Sequence, residues 1–416
     1  MLITARVCPP SFPGKAAINN MLKPETLPFA ALLTALTAFG PLATDMYLPS
    51  LPAMAADFAT DVGTVQLTLS VFMAGFGLSQ LMVGPLSDRY GRRPVLIVGV
   101  GLYFLATAAC ALAPTIELLI GLRFVQAVGA CTGVVVARAV VRDVYGRARA
   151  AKVLAYMGTA MALAPIIAPI IGGYLVMWSG WRSIFVALAV FGLVLVLLVW
   201  RKLAETNPYK NADATRPSWL ARNYLTLLGD RSYVGYVLVN TFVFCGMFAF
   251  ISGSSFVLIK FLGLPPNLFG MCFGIAVMGY MSGTVIAGKL TIRFGIDAML
   301  SAGSVLAMVG GVSMVGLALA GVDHVAAVIG PQFIYMIGMG IVMPNAIAGA
   351  IGPYPKMAGA ASALLGFVQM VAAALVGLAV GQLDDGTQIP MTTAIALSGT
   401  LTFVSFRLMI RANPRP

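Results

Sequence analysis

Apolar residues run along this chain in long blocks separated by short polar breaks, without the strict alternation of half-buried strands. From residue 27 onward there are twelve such blocks, at roughly 27–50, 65–84, 94–113, 116–138, 151–175 and 182–200, then 232–256, 267–288, 296–320, 325–348, 357–382 and 389–410. Each is about the length a helix needs to cross a bilayer core of ~30 Å. The longest polar break, 201–231, contains Pro208, Asn211, Asp213 and Pro217 and separates six blocks from six. The pattern predicts an all-α polytopic membrane protein of twelve transmembrane helices in two six-helix halves. Its segments are an N-terminal stretch 1–26, a half 27–200, a linker 201–231, a half 232–410 and a tail 411–416.

Composition removes the soluble alternatives. The chain is 60% hydrophobic and 10% charged, where a soluble domain is about a quarter charged. The net charge of +12 is therefore a topology signal and not an affinity for nucleic acid. With the N-terminus inside, the inner segments collect Arg89, Arg92, Arg93, Arg138, Arg142, Arg147, Arg149 and Lys152, with further basic residues in the linker and the second half, while the outer loops hold only Arg182 and Lys260. Both termini are expected on the cytoplasmic side of a bacterial inner membrane, and the chain is expected to be a monomer. Residues 1–26 lack an apolar core, so no cleaved signal peptide is expected there; Met21 offers a second possible start. Cys110, Cys131, Cys245 and Cys272 lie scattered in apolar blocks, and His324 is the one histidine. No metal site is expected from such spacing. No phosphate-binding loop or nucleophile set is present, so neither an ATP-driven pump nor an enzyme is expected, and no cofactor.

Polar residues inside the blocks carry the chemistry. Of fourteen acids, thirteen lie in loops, at block ends or in the polar N-terminal and linker segments, and Asp45 alone lies inside an apolar block. Such an acid is a functional candidate by default, because a carboxylate in the bilayer is costly. At ~1.5 Å per residue it stands roughly 27 Å above the inner boundary of its span. Arg123, in the fourth block, lies about 10 Å below the outer end of its own span. The two depths permit an ion pair. It would either tie two helices together or set a protonatable acid beside a fixed cation for proton exchange. Buried pairs stabilise weakly, which favours the second role.

The break after the second block reads Gly84-Pro85-Leu86-Ser87-Asp88-Arg89-Tyr90-Gly91-Arg92-Arg93-Pro94. Its arginines suit a topology marker; its acid and two glycines suit a gate latch. In the latch, Asp88 accepts hydrogen bonds from a helix N-terminus of the other half, Arg92 and Arg93 meet acids or phosphates there, and Gly84 and Gly91 allow close approach. This stretch resembles the signature loop of the major facilitator superfamily, G-x-L-[AS]-D-R-x-G-R-[RK]-x-x-L, at every defining position. An echo follows the eighth block, Gly288-Lys289-Leu290-Thr291-Ile292-Arg293-Phe294-Gly295, with Ile292 where the acid stood; a duplicated six-helix unit leaves such traces. The fifth block carries Pro165, Pro169, Gly172 and Gly173, which resembles the G-P-x-x-G-G motif of the antiporter branch, with Ala168 in place of the first glycine of that core.

Thr44-Asp45-Met46-Tyr47-Leu48-Pro49, Arg123-Phe124-Val125-Gln126, Arg138 to Asp143, and Trp181-Arg182-Ser183 are similar to the bicyclomycin and chloramphenicol resistance (Bcr/CflA-like) family. That resemblance implies the major facilitator fold and efflux of small amphipathic antimicrobials in exchange for protons, with the proton gradient as energy source. Some relatives have a second acid where this chain has Thr37, so neutral amphiphiles are the expected drugs. Asp45 and Arg123 are the expected proton-coupling residues. Gly84, Asp88, Arg89, Gly91, Arg92 and Arg93 form the expected gating loop. The substrate is expected against Thr37, Pro41, Thr44, Asp45, Arg123 and Gln126. In the seventh block it meets Asn240, Phe244, Met247 and Phe248, a stripe that also suits plain packing. The alternative on the same fold is a proton-coupled importer or facilitator of a small metabolite.

Overall fold

A computed structural model describes Leu22 and residues 26–207, 210, 212–354 and 357–411. The first block is broken where a continuous helix was expected. It forms α1 (Leu27–Thr37), α2 (Phe39–Asp45), a 3-10 turn Leu48–Ser50 and α3 (Leu51–Asp57). Pro41 has no N–H to give the carbonyl of Thr37, so the helix breaks at Ala38; Pro49 and Pro52 interrupt it again. The two parts of the span meet at 45°.

The first half continues with α4 (Val62–Tyr90), α5 (Arg92–Ala111), α6 (Ile116–Ser179) and α7 (Arg182–Lys202). The sequence predicts two helices for the fourth and fifth blocks, yet α6 is helical throughout. It nonetheless reverses direction: Arg123 bonds the carbonyl of Ala43, and Gly172 presses on the carbonyl of Met46. The linker, read as a polar connection, holds a 3-10 turn Ala212–Thr215 and α8 (Pro217–Leu228). Leu227 of α8 is buried with Tyr233, Val237 and Leu364 of the second half, while Arg89 donates to Thr215 at 2.5 Å. The second half comprises α9 (Arg231–Ser255), α10 (Pro266–Phe294), α11 (Ile296–Leu319), α12 (Val325–Ile351), α13 (Ala358–Gln382) and α14 (Ile389–Ser405). The first and last of these run on as π-helical turns to Phe261 and Arg411.

Among the described residues, ten helices are long and apolar enough to cross a membrane, eleven if the bent first pair is one span. Leu163–Ser179, overlapping the fifth block, is a shorter apolar stretch. Large apolar side chains such as Val98, Leu105, Trp178, Met271 and Leu375 are exposed, as a surface in contact with lipid requires. Small residues let backbones approach inside each half. A Cβ on Gly129 would lie 2.5 Å from the nitrogen of Tyr103 and 2.6 Å from the carbonyl of Gly99. The halves meet where α4 packs on α9 and α13: Gln66 donates to the carbonyl of Ser252 on α9 at 3.0 Å, and Ser70 reaches Gly377 of α13 beside Phe248. They meet again where the end of α6 touches the start of α10, Gly173 against Pro266.

Candidate functional site

Asp45 is the last residue of α2 and is 4% exposed. Its side chain accepts one hydrogen bond, from Thr44 Oγ1 at 3.0 Å. That hydroxyl also lies 3.1 and 3.2 Å from the carbonyls of Gly40 and Pro41. Thr37 is buried too, its hydroxyl donating to the carbonyl of Thr34 at 2.7 Å. No ion pair reaches Asp45 among the described residues. A buried carboxyl held by a hydroxyl, with no cation on it, is equipped to gain and lose a proton.

The expected pairing of Asp45 with Arg123 is not formed in this structure, and the broken span explains why. A helix leaves its last carbonyls without intrahelical donors. Because α2 stops at Asp45, the carbonyl of Ala43 is one of these, and Arg123 Nη1 donates to it at 3.0 Å. A cation at a helix C-terminus also suits the helix dipole. The same nitrogen donates to Gln126 Oε1 at 2.6 Å, and Nε reaches the carbonyl of Thr68 at 3.4 Å. Gln126 is fixed in turn by donating to Thr107 Oγ1 at 2.8 Å. The guanidinium lies over the rings of Phe72, Tyr47 and Phe185, at 4.4, 4.7 and 5.9 Å from their centroids, and Tyr47 is itself hydrogen-bonded to Thr68. Cation–π contact strengthens when the charge is desolvated, and Arg123 is wholly buried. The three rings come from α4, α7 and the turn after α2, so no sequence spacing brought them together. Tyr47, two residues beyond the acid, carried the nearest signal.

The loop between α4 and α5 is a clamp between the first half and the start of the linker. Arg92 Nη1 donates to Asp88 at 2.5 Å and to Ser87 Oγ at 2.6 Å, while Nε donates to Asp143 at 2.9 Å. Glu205, just past α7, accepts from the backbone nitrogens of Arg92 at 2.8 Å and Arg93 at 3.1 Å, and so caps the open start of α5. Gly91, at φ +108°, makes this approach possible, since a Cβ there would strike the Glu205 carboxylate. Arg93 donates to the carbonyl of Trp200 at 2.7 Å. The expected latch onto the other half is thus corrected. Among the described residues Asp88 takes Arg92 and no helix N-terminus, and the acids come from Asp143 on α6 and from Glu205 at the start of the linker, neither of them in the second half. Gly84 faces open space.

The prolines at 165 and 169 lie inside α6. The glycines beyond them press on different elements, Gly172 on the broken first span and Gly173 on α10. On α9, Asn240 donates to Gln369 of α13 at 2.7 Å. Phe248 is buried against Gly377, between the halves and away from lipid, while Phe244 and Met247 are half-buried. An open apolar groove of ≈ 680 Å³ follows α1 and α2 from Leu27 to Leu42, flanked by Met157 and Phe191. Its end at Leu42 lies one turn from Asp45, and its volume falls in the range of small-molecule sites.

A family model described as Major Facilitator Superfamily matches residues 33–377. The chain belongs to the Major Facilitator Superfamily. Among its relatives, an uncharacterized MFS-type transporter of Bacillus subtilis, YdgK, is 33% identical over 94% of this chain and 97% of its own. The bicyclomycin resistance protein homolog of Haemophilus influenzae is 29% identical, covering 94% and 98%. The multidrug resistance protein D of Escherichia coli is 30% identical, covering 89% and 92%. The names of the last two agree with the drug-resistance branch that the motifs resemble. The fold is that of solved transporters: a POT family transporter superposes with a TM-score of 0.77 at 15% identity, over 96% of this chain and 99% of its own, and a D-xylose–proton symporter with 0.73 at 14%, over 94% and 98%. The protein is a multi-pass membrane transporter.

Proposed function

We propose that this transporter exports small amphipathic antimicrobials, of the chloramphenicol and bicyclomycin kind, in exchange for protons, from the cytoplasm across a bacterial inner membrane. The observation that carries the reading is Asp45, a buried acid at a break in the first span with a hydroxyl and no cation on its carboxyl. A group so placed takes a proton without disrupting an ion pair, and gives it up when the halves rearrange. Arg123 holds the broken span in shape beside it and keeps the local field positive. The groove along α1 and α2 suits the apolar body of a drug entering from the inner leaflet. Names carried by the relatives support efflux over uptake, and no cofactor besides the proton gradient is invoked.

The test uses inverted vesicles containing the full chain, with a pH gradient, acidic inside, imposed across them. Accumulation of chloramphenicol that collapses with the gradient supports the reading. Gradient-driven loss of a preloaded sugar or amino acid, with no drug movement, would establish the importer instead.

A further inference from the structure

The second half repeats the segment that carries Arg123. Ile120-Gly121-Leu122-Arg123-Phe124-Val125-Gln126-Ala127-Val128-Gly129 is answered by Ile329-Gly330-Pro331-Gln332-Phe333-Ile334-Tyr335-Met336-Ile337-Gly338. Arg123 and Gln332 stand equally far from the starts of their helices, Ile116 and Val325. The packing repeats as well. A Cβ on Gly338 would lie 2.5 Å from both the nitrogen of Ala307 and the carbonyl of Gly303, as one on Gly129 meets Tyr103 and Gly99. In the first half Arg123 bonds a backbone carbonyl of the opposing helix at 3.0 Å. In the second that task has moved one turn along: Tyr335, the counterpart of Gln126, donates to the carbonyl of Val243 on α9 at 3.0 Å.

Gln332 is thereby released. It is wholly buried, and neither its amide nitrogen nor its amide oxygen has a hydrogen-bond partner among the described residues. On the helix it lies between Tyr335, which meets α9, and Met336, which meets Gly279 of α10. It therefore faces the side of α12 where α9 and α10 pack, two helices that also touch each other through Phe250 and Phe273, stacked with centroids 5.8 Å apart. A buried donor and acceptor left unmade on one side chain cost folding free energy. A transporter that alternates between states retains such a group when another state, or a ligand, satisfies it.

We propose that Gln332 is a ligand-binding group of the second half, taking the amide or hydroxyl of a neutral amphipathic substrate in a state where α9 and α10 part. The inference rests on the efflux reading and names the chemistry of its substrate: a neutral molecule that both donates and accepts a hydrogen bond. Proton coupling is then carried by Asp45 in one half and recognition by Gln332 in the other.

The experiment measures equilibrium binding to purified full-length protein with two probes. One is chloramphenicol; the other is its analogue with the amide N-methylated and both hydroxyls acetylated, which keeps the apolar body and donates no hydrogen bond. Gln332→Met should weaken chloramphenicol about tenfold, the worth of roughly one hydrogen bond, and should leave the analogue within about twofold. Its melting temperature should hold or rise, because the unmet amide is gone. Gln332→Asn, which keeps both polar atoms on a shorter stem, should fall between. An unchanged chloramphenicol affinity, equal losses on both probes, a lowered melting temperature with loss of both, or no chloramphenicol binding by the unaltered chain overturns the assignment. Gradient-driven chloramphenicol export by the unaltered chain decides the efflux reading separately, since the affinity contrast needs no gradient.

Discussion

Two loops at matching places in the halves share a backbone turn and differ in their charges. After α4, Gly91 turns the chain at φ +108° and Glu205 closes over it, while Arg92 holds Asp88 and Asp143. After α10, Gly295 turns the chain at φ +82° with nothing within 4 Å, and Ile292 stands 92% exposed where the acid would be. The backbone turn survived in both because a two-helix hairpin needs it. The charge network survived in one. The same split separates α6 from α12, where a caged guanidinium is answered by an unpartnered amide. Among the described residues the buried acid and the Arg92 charge network lie in the first half, while the second half answers them with a bare turn and an amide.

That asymmetry is open to direct attack, and the largest effect is expected at Asp45. No buried acid occupies the second half among the described residues, so Asp45→Asn should reduce gradient-driven export in proteoliposomes by about 100-fold or more, with insertion and drug binding retained. Full exchange by the Asn variant would move proton coupling elsewhere. Next comes Arg123→Ala, which strips donors from the carbonyl of Ala43 and from Gln126 inside the core. Two charge-assisted bonds suggest a loss of about 3–5 kcal/mol, read as a lowered melting temperature in detergent, with Arg123→Lys intermediate because it keeps charge without the fork. A melting temperature as unmoved as that expected of Gln332→Met would erase the contrast between α6 and α12.

Smaller effects are expected at the loops. Glu205→Ala removes the cap on α5 and should cost about 1–2 kcal/mol, slowing turnover more than it weakens drug binding. Equal losses in both would make the cap a folding device alone. Gly91→Ala and Gly295→Ala both force a side chain into left-handed backbone at about 1 kcal/mol each. Only the first also displaces Glu205, so its melting temperature should fall further. Equal shifts would show that the clamp adds nothing to the turn.

The spans were legible from the chain because the bilayer demands long apolar helices whatever they pack against. The signature loop was legible because its residues act on neighbours close in sequence, as Asp88 and Arg92 do one turn apart. Asp45 stood out for the same kind of reason, as an acid where hydropathy alone forbids one. The surroundings of these residues were not legible. Glu205 and Asp143 reach the loop from distant elements, and Phe72, Tyr47 and Phe185 reach Arg123 from three others.

Whether Arg123 met Asp45 turned on a still more local event. Prolines broke the first span, the break freed the carbonyl of Ala43, and the guanidinium went to the carbonyl. Sequence by itself determined that the chain is a set of long apolar helices and where the acid and the cations lie along them, because solvent and chain chemistry impose these one residue at a time. Tertiary structure alone decided which buried groups are satisfied and which, like Gln332, are left open, because a hydrogen bond depends on ångström placement between helices that hydropathy does not encode.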